Sequence, residues 1–353
     1  MISIDLVSDT VSRPDDRMRM AMASAELGDE QREGDPTTNL LCTRVAEMLG
    51  KEAALFLPSG TLCNLVAASV WCRPGEAIIA DASSHVIGSE LGGVSAVSGA
   101  LMLSIAGTRG QFGWEDVDRT IASLVGTRAP QARLLWVEQT HNRGGGSVWA
   151  PDTLRALTDA ARGKGLLCHM DGARLLNAAV ASGTTPDVHA SGFDSVWIDL
   201  SKGLGCPAGA VLAGSAEFIR RSDVWKRRLG GALRQSGVLA AAGLYALQGY
   251  EDRLARDHAN ARALAQGLAS ILGLEILHEP VETNLLFVST KSSGMTAVEV
   301  QAALRDAGIR VGVEGQTVLR MVTHWDIDAA DVDRVLDVMS DILAQNYKSC
   351  DQS

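Results

Sequence analysis

Six short apolar runs restrict the fold of this chain more than any other feature: AALFLP (53–58), EAIIAD (76–81), LLWVEQ (134–139), GLLCHMD (165–171), DSVWIDL (194–200) and AGAVLAG (208–214). Each is too short for an ordinary helix and too continuously apolar for a strand wetted on one face, so each reads as a strand covered on both sides. Longer helical patterns separate several of them. SGTLCNLVAASVWC (59–72) opens with capping residues after the first run, and APDTLRALTDAARGKG (150–165) lies between the third and the fourth. Ahead of them, after an irregular start, PTTNLLCTRVAEMLGK (36–51) places Leu40, Leu41, Val45, Met48 and Leu49 at helical spacing and stops at Gly50. Helices alternating with buried strands specify an α/β protein with a mostly parallel sheet, and in such sheets ligands sit beyond the carboxyl ends of the strands.

From about residue 250 the texture changes. A long helical segment (251–272) leads to strands LEILHE (274–279) and TNLLFVST (283–290), a helix TAVEVQAALRDAG (296–308), strands IRVGVE (309–314) and TVLRMVTH (317–324), and a final helix over 328–346. This is the pattern of a smaller α+β domain. The expected organisation is therefore an N-terminal segment (1–14), a large domain (15–249) and a small C-terminal domain (250–353).

Hydrophobic residues at 46% against 21% charged leave ample material for such cores. A formal net charge of −10 argues against a nucleic-acid partner, since nothing broad would neutralise phosphates. The one basic cluster, Lys226, Arg227, Arg228 and Arg234, reads most simply as a solvated helix face. Six scattered cysteines show no CxxC metal spacing; five read as buried small hydrophobes and Cys350 as a tail thiol. With neither a signal-like start nor a membrane-length apolar run, a cytoplasmic protein is expected.

Chemistry-capable groups gather where the apolar runs end. Ser59, Gly60 and Thr61 stand between a strand and a helix, where they serve either as an ordinary cap or as a phosphate cradle of amides and hydroxyls. Asp171 and Arg174 follow GLLC, either paired with each other or divided between a protonated ring nitrogen and a carboxylate. Lys202 follows VWIDLS, where desolvation would make its amine a nucleophile. The adjoining Gly203, Gly205 and Ala208 match a dinucleotide fingerprint, but Pro207 and the strand behind it leave no place for the helix that fingerprint requires. His141 follows LLWVEQT, and His85 precedes Glu90 by five residues. Cradle, then aspartate, then lysine is the order expected of a pyridoxal 5'-phosphate enzyme, with a histidine available to stack on the ring and to act as a base.

The stretches DLVSDTVSRP, GDPTTN, LPSGTLCN, EQTHN, HMDGAR, SKGLGCPAG, LRQSGVLAAAGLYAL and VTHWD together resemble the threonine aldolase family, with its pyridoxal-phosphate-dependent, aspartate-aminotransferase-like fold. The resemblance runs from about Ile4 to Ile342. It implies that Lys202 holds the cofactor, that Asp171 keeps the pyridine nitrogen protonated and that His85 stacks on the ring with Glu90 nearby. Ser59, Gly60, Thr61 and Ser201 would hold the phosphate, and Arg234 would reach it from a neighbouring subunit. Ser8, Arg174 and Arg320 would bind the substrate carboxylate, and His141 would act at the β-hydroxyl, directly or through a water. The implied activity is cleavage of L-threonine, L-allo-threonine or a related β-hydroxy amino acid to glycine and an aldehyde, in a homodimer or homotetramer with active sites at subunit interfaces. No metal, nucleic acid or membrane enters it.

One loop departs from the family pattern: GDEQREGDPT carries Arg32 at or near the place of a usual tyrosine, which leaves the cofactor chemistry alone but opens the substrate to larger or more polar β-substituents such as that of phenylserine. Rival readings are another reaction on the same scaffold, such as β-elimination or transamination, and a cofactor-free binding protein.

Overall fold

A computed structural model describes residues 2–350 of the chain. All six apolar runs form strands of one seven-stranded sheet. Its order is Ala53–Leu57, Ala210–Gly214, Ser195–Asp199, Leu167–Gly172, Ala132–Glu138, Ala77–Asp81 and Leu101–Ile105. Only Ala210–Gly214 runs against its neighbours, pairing antiparallel with the strand on either side. Leu101–Ile105, at the sheet's edge, was not among the expected runs; only Ile105 of it is buried, whereas the central strands are buried along nearly their whole length.

Ala77–Asp81 is followed outward by Leu101–Ile105, after which the chain returns to place Ala132–Glu138 on the other side of Ala77–Asp81. The sheet's order reverses there, so the carboxyl ends of Ala77–Asp81 and Ala132–Glu138 flank a natural crevice. Register brings further strand ends level with it: Glu138 lies opposite Asp171, and Asp171 opposite Trp197. Helices Gly60–Trp71, Pro151–Gly163 and Leu175–Ser182 cover the sheet, as the amphipathic spacing anticipates.

The C-terminal part builds a four-stranded antiparallel sheet, Gly312–Val313, Val318–Val322, Leu285–Ser289 and Glu275–Leu277, packed against helices Tyr250–Ala269, Ala297–Asp306 and Ala329–Cys350. The irregular start is more ordered than the sequence suggests. Ile4–Asp5 pairs in parallel with Ile309–Arg310, and Ile4 and Leu6 are buried in the core formed by residues 261–343. A 3-10 turn, Asp9–Val11, and a helix, Asp16–Ala23, follow. Helix Tyr250–Ala269 serves both cores: its first turns, through Tyr250 and Leu254, pack with the large sheet's cluster, and Ala261, Leu264 and Leu268 with the C-terminal one.

Two expectations about individual residues are corrected. Cys42 is only half-buried, whereas Cys63, Cys72, Cys168 and Cys206 are fully enclosed as expected, and the side chain of Cys350 lies outside the described residues. Lys226 does not belong to a solvated face: it sits inside the last turn of helix Ala216–Arg228 with its side chain 2% exposed, and its ammonium lies 2.5 Å from Glu30 Oε1. A lysine stem long enough to cross the helix packing can carry its charge to a buried carboxylate, which charge pattern alone does not reveal. Arg227 and Arg228 beside it are exposed.

Candidate active site

A cavity of about 240 Å³ opens at the strand ends and is lined by Ser59, Gly60, Thr61, His85, Glu90, Glu138, Asn142, Asp171, Arg174, Trp197, Asp199, Ser201 and Lys202, among others. Eight of these are residues singled out for the cofactor, and Arg174 is a substrate-binding candidate. Ser59 is indeed a helix cap, its hydroxyl accepting from the Leu62 amide, but it also faces the cavity, so the two readings of that position are compatible. Gly60 is required by close approach: a Cβ there would overlap the Trp197 ring.

Asp171, last but one in its strand, is fully buried. Its Oδ2 accepts from Asn64 Nδ2 at 3.0 Å, and its Oδ1 accepts from the Ala173 amide. Asn64 in turn accepts from the Trp197 indole N–H at 2.7 Å and donates to Glu90 Oε1 at 2.7 Å, and His85 Nδ1 lies 2.8 Å from that same oxygen. Burial, followed by the nearby Glu138 charge, pushes the Asp171 carboxyl up to about 7. A carboxyl so placed favours a neighbouring cation, which would hold it ionised. His85 moves the other way from burial: its hydrogen bond to Glu90 raises the imidazole above its ordinary value.

Lys202 stands at the mouth of the turn after Ser195–Asp199, its Nζ 3.1 Å from Asp199 Oδ2 and 5.8 Å from the centre of the Trp197 ring. The chain then turns through Gly205, in the left-handed region at φ 72°, into strand Ala210–Gly214; no helix follows, as a dinucleotide loop would need.

Arg174 and Asp171 do not pair. The guanidinium instead makes a bidentate contact with Asp9, Nε to Oδ2 and Nη2 to Oδ1, both at 2.7 Å, with each side chain almost completely buried. Burial alone would raise the Asp9 carboxyl, but Arg174 overrides it and holds the group well below the ordinary carboxylate range. Asn142 links the second arginine to the cavity: its Oδ1 accepts from Arg320 Nη2 at 2.8 Å and faces Arg174 Nη1 at 3.4 Å. Arg320 also donates to the Val7 carbonyl, and burial lowers it to about 10. Ser8 caps the turn Asp9–Val11. Neither Ser8 nor Arg320 lines the cavity itself; Arg320 stands directly behind the lining residue Asn142, and Ser8 behind Asp9, which holds Arg174.

His141 lies elsewhere. Its ring is fully buried beneath Gly110, where a Cβ would overlap it, and Nδ1 accepts from the Gly144 amide at 3.1 Å. Nε2 faces Asp81 Oδ1 at 3.5 Å without a hydrogen bond. Its neighbours Glu138 and Asn142 face the cavity in its place. Arg234 is half-exposed, paired with Asp29 at 3.3 Å, and takes no part in its own chain's cavity.

Sequence reasoning passed over Asp9, Asn64, Glu138, Asn142 and Asp199. Glu138 receives the His85 amide on one oxygen and the Asn142 amide on the other, tying the two sides of the crevice together. Asn64 was discoverable: on helix Gly60–Trp71 it lies one turn beyond Gly60, on the face that turns back to the strand ends.

The donor set suits pyridoxal phosphate: the cavity is lined by the amine of Lys202, by the hydroxyls of Ser59, Thr61 and Ser201 at a helix start and after a strand, and by the buried carboxyl of Asp171, which a ring N–H would hold ionised. Comparison with known proteins points the same way. Residues 5–293 match the beta-eliminating lyase family model. The chain is 39% identical over 337 residues to low-specificity L-threonine aldolase 1 of Arabidopsis thaliana, covering 94% of each, and 38% identical to the low specificity L-threonine aldolase of Escherichia coli, covering 92% and 94%. Among solved structures, the fold is shared with a threonine aldolase from Leishmania major (TM-score 0.83, 19% identity, 96% and 99% covered) and a putative L-allo-threonine aldolase from Listeria monocytogenes (TM-score 0.80, 20% identity, 96% of each). Likeness this close over almost the full chain makes it a member of the threonine aldolase family, pyridoxal-phosphate-dependent aldehyde-lyases that cleave threonine to glycine and an aldehyde.

Proposed function

We propose that this aldolase acts on L-β-hydroxy-α-amino acids beyond threonine, L-phenylserine included, and that His85 is the imidazole through which the β-hydroxyl proton leaves. The observation carrying the second point is that His85 alone among the histidines lines the cavity, with Nδ1 engaged by Glu90 and the other ring nitrogen turned away from that bond. His141, expected in that role, contributes to the wall through its neighbours Asn142 and Glu138.

Bound pyridoxal phosphate supplies the electron sink that accepts the pair left on Cα when the Cα–Cβ bond breaks. Lys202 offers the amine that holds it, and Asp171 the carboxylate for its ring nitrogen. Ser59, Thr61 and Ser201 offer hydroxyls, and the amides at the start of Gly60–Trp71 offer donors, to the phosphate. Arg174, fixed by Asp9, and Arg320, reached through Asn142, receive the substrate carboxylate; fixing that group fixes the rotation about the N–Cα bond and thereby which bond of Cα is broken. Asn142 Oδ1 accepts from both arginines, and a substrate carboxylate oxygen would take over those donors.

Support for the substrate breadth comes from the loop 28–34. Gln31 donates to the carbonyl of Leu233, while Arg32 points outward, 78% exposed and 3.5 Å from Asp29. The loop is thus bound to the Arg234 segment and presents Arg32 to whatever lies opposite. Three features favour a second copy there: the cradle residues Ser59 and Thr61 are exposed, Leu91, next in the chain to the cavity residue Glu90, is fully exposed at 104%, and Arg234 is paired with Asp29 and lies outside its own site. A homodimer or homotetramer with the active site at the interface would complete the phosphate's surroundings.

The test is a substrate panel on cofactor-loaded protein: L-threonine, L-allo-threonine and L-phenylserine, with Arg32→Tyr in parallel. Phenylserine cleavage, with its ratio to threonine altered at least about tenfold by the substitution, a change of about 1.4 kcal/mol in relative barrier, is the expected result. Threonine-only activity, unmoved by Arg32→Tyr, would refute the breadth.

A further inference from the structure

Four carboxylates line the cavity, and the hydrogen bonds of three of them go to groups other than Lys202. Asp171 binds Asn64 and the Ala173 amide; Glu90 binds His85 and Asn64, both through Oε1, while its buried Oε2 makes no hydrogen bond; Glu138 binds the His85 and Asn142 amides. The fourth, Asp199, is different. Its Oδ1 accepts from both the amide and the hydroxyl of Ser201 at 2.8 Å, which fixes the carboxylate plane, and its Oδ2 is left to face Lys202 Nζ at 3.1 Å. It closes the buried strand Ser195–Asp199 and is 8% exposed, so water screens the pair little.

We infer that Asp199 is the positioning counter-ion of Lys202, holding the lysine nitrogen positively charged and aimed into the cavity both before and after it bonds to the cofactor. The inference rests on the assignment of pyridoxal phosphate to Lys202. On condensation with a bound aldehyde the ammonium of Lys202 would lose two protons with the aldehyde oxygen as water and keep one proton and its positive charge on nitrogen, beside the carboxylate that Asp199 holds there. Charge and atoms balance without another reactant. By keeping that nitrogen charged, Asp199 would also favour its exchange for an incoming substrate amine.

Other charges reach Lys202 but do not replace Asp199. Asp171 approaches from the adjacent strand and Asp9 from the N-terminal turn, each itself influenced by the lysine charge, but Asp9 is committed to Arg174. Arg174, His85, Glu90 and Glu138 share the cavity wall. Ser201 cannot give its one proton to Asp199 and to a phosphate together, so if it turned to a bound phosphate the lysine nitrogen would be left as the carboxylate's main side-chain partner.

The measurement is the pH titration of the visible absorption band of cofactor-loaded protein, which reports the charge on the Lys202 nitrogen and requires no turnover. Asp199→Asn is expected to move the midpoint down by at least about one pH unit, the effect of losing an opposite charge at this distance. Asp199→Glu should recover most of the shift, which a merely structural role would not do. Asp199→Ser, smaller and still polar, serves in the same way where the amide variant fails to fold. A wild-type band whose midpoint is unmoved in the neutral variants overturns the inference. A wild-type protein that develops no band with added pyridoxal phosphate overturns the cofactor assignment instead.

Discussion

Asp171, Lys202 and His85 could be picked out of the sequence because each closes or follows an apolar run, and a polar group there needs a reason. Of their partners only Asn64 could be, from its place one turn beyond Gly60; nothing in the spacing of residues 9, 138 and 142 says that they converge. Arg174 illustrates the limit: three residues from Asp171, it invited a local pair, yet it reaches across 165 positions to Asp9, whose planar carboxylate matches the guanidinium fork. His141 illustrates it from the other side, since its place in EQTHN gave no sign that Gly110 lies over its ring. At this scale the pH behaviour of His85 is open to test. Glu90 raises its proton affinity, so the neutral, accepting form is lost as pH falls through a value above the ordinary imidazole range. The acid limb of kcat is therefore expected at higher pH than an unperturbed histidine would give, and Glu90→Gln should move it to lower pH; a limb unmoved by the substitution would separate the two residues.

Among the elements, strand and helix identity was written plainly in the six apolar runs and the amphipathic segments between them, because buried strands and covering helices have distinct periodicities. Weaker elements escaped. Leu101–Ile105 at the sheet edge has only one well-buried residue, and Ile4–Asp5 is two residues long. The strand-to-helix turn at Gly60 is where an element and the site depend most closely on each other. There the helix start must come close to Trp197, and a methyl group would force ring and backbone apart. Gly60→Ala is expected to destabilise by about 1–3 kcal/mol, the range for overpacking, and to weaken cofactor binding at least tenfold, as read by denaturant titration and by the visible band on reconstitution. Normal affinity in a folded variant would show that the helix start does not hold the phosphate.

For the molecule as a whole, the N-terminal segment joins parts that the sequence presents as separate. Leu6 is buried in the C-terminal core, its carbonyl accepts from the Val322 amide, the Val7 carbonyl accepts from Arg320, and Asp9 receives both Arg174 and Asn284. The carboxylate-binding arginines are thus held by a segment only a few residues long. Leu6→Ala is expected to cost about 2–5 kcal/mol in chemical denaturation and to raise KM for the amino acid more than it lowers kcat; a kcat effect alone would place the segment outside substrate binding. The direction of bond breaking is the central claim, since the same scaffold also supports β-elimination. Product analysis decides it: cofactor-loaded protein given L-threonine should release glycine and acetaldehyde in equal amounts, and Lys202→Ala, folded by circular dichroism, should release neither. Formation of 2-oxobutanoate and ammonia instead, or undiminished turnover by Lys202→Ala, would contradict it.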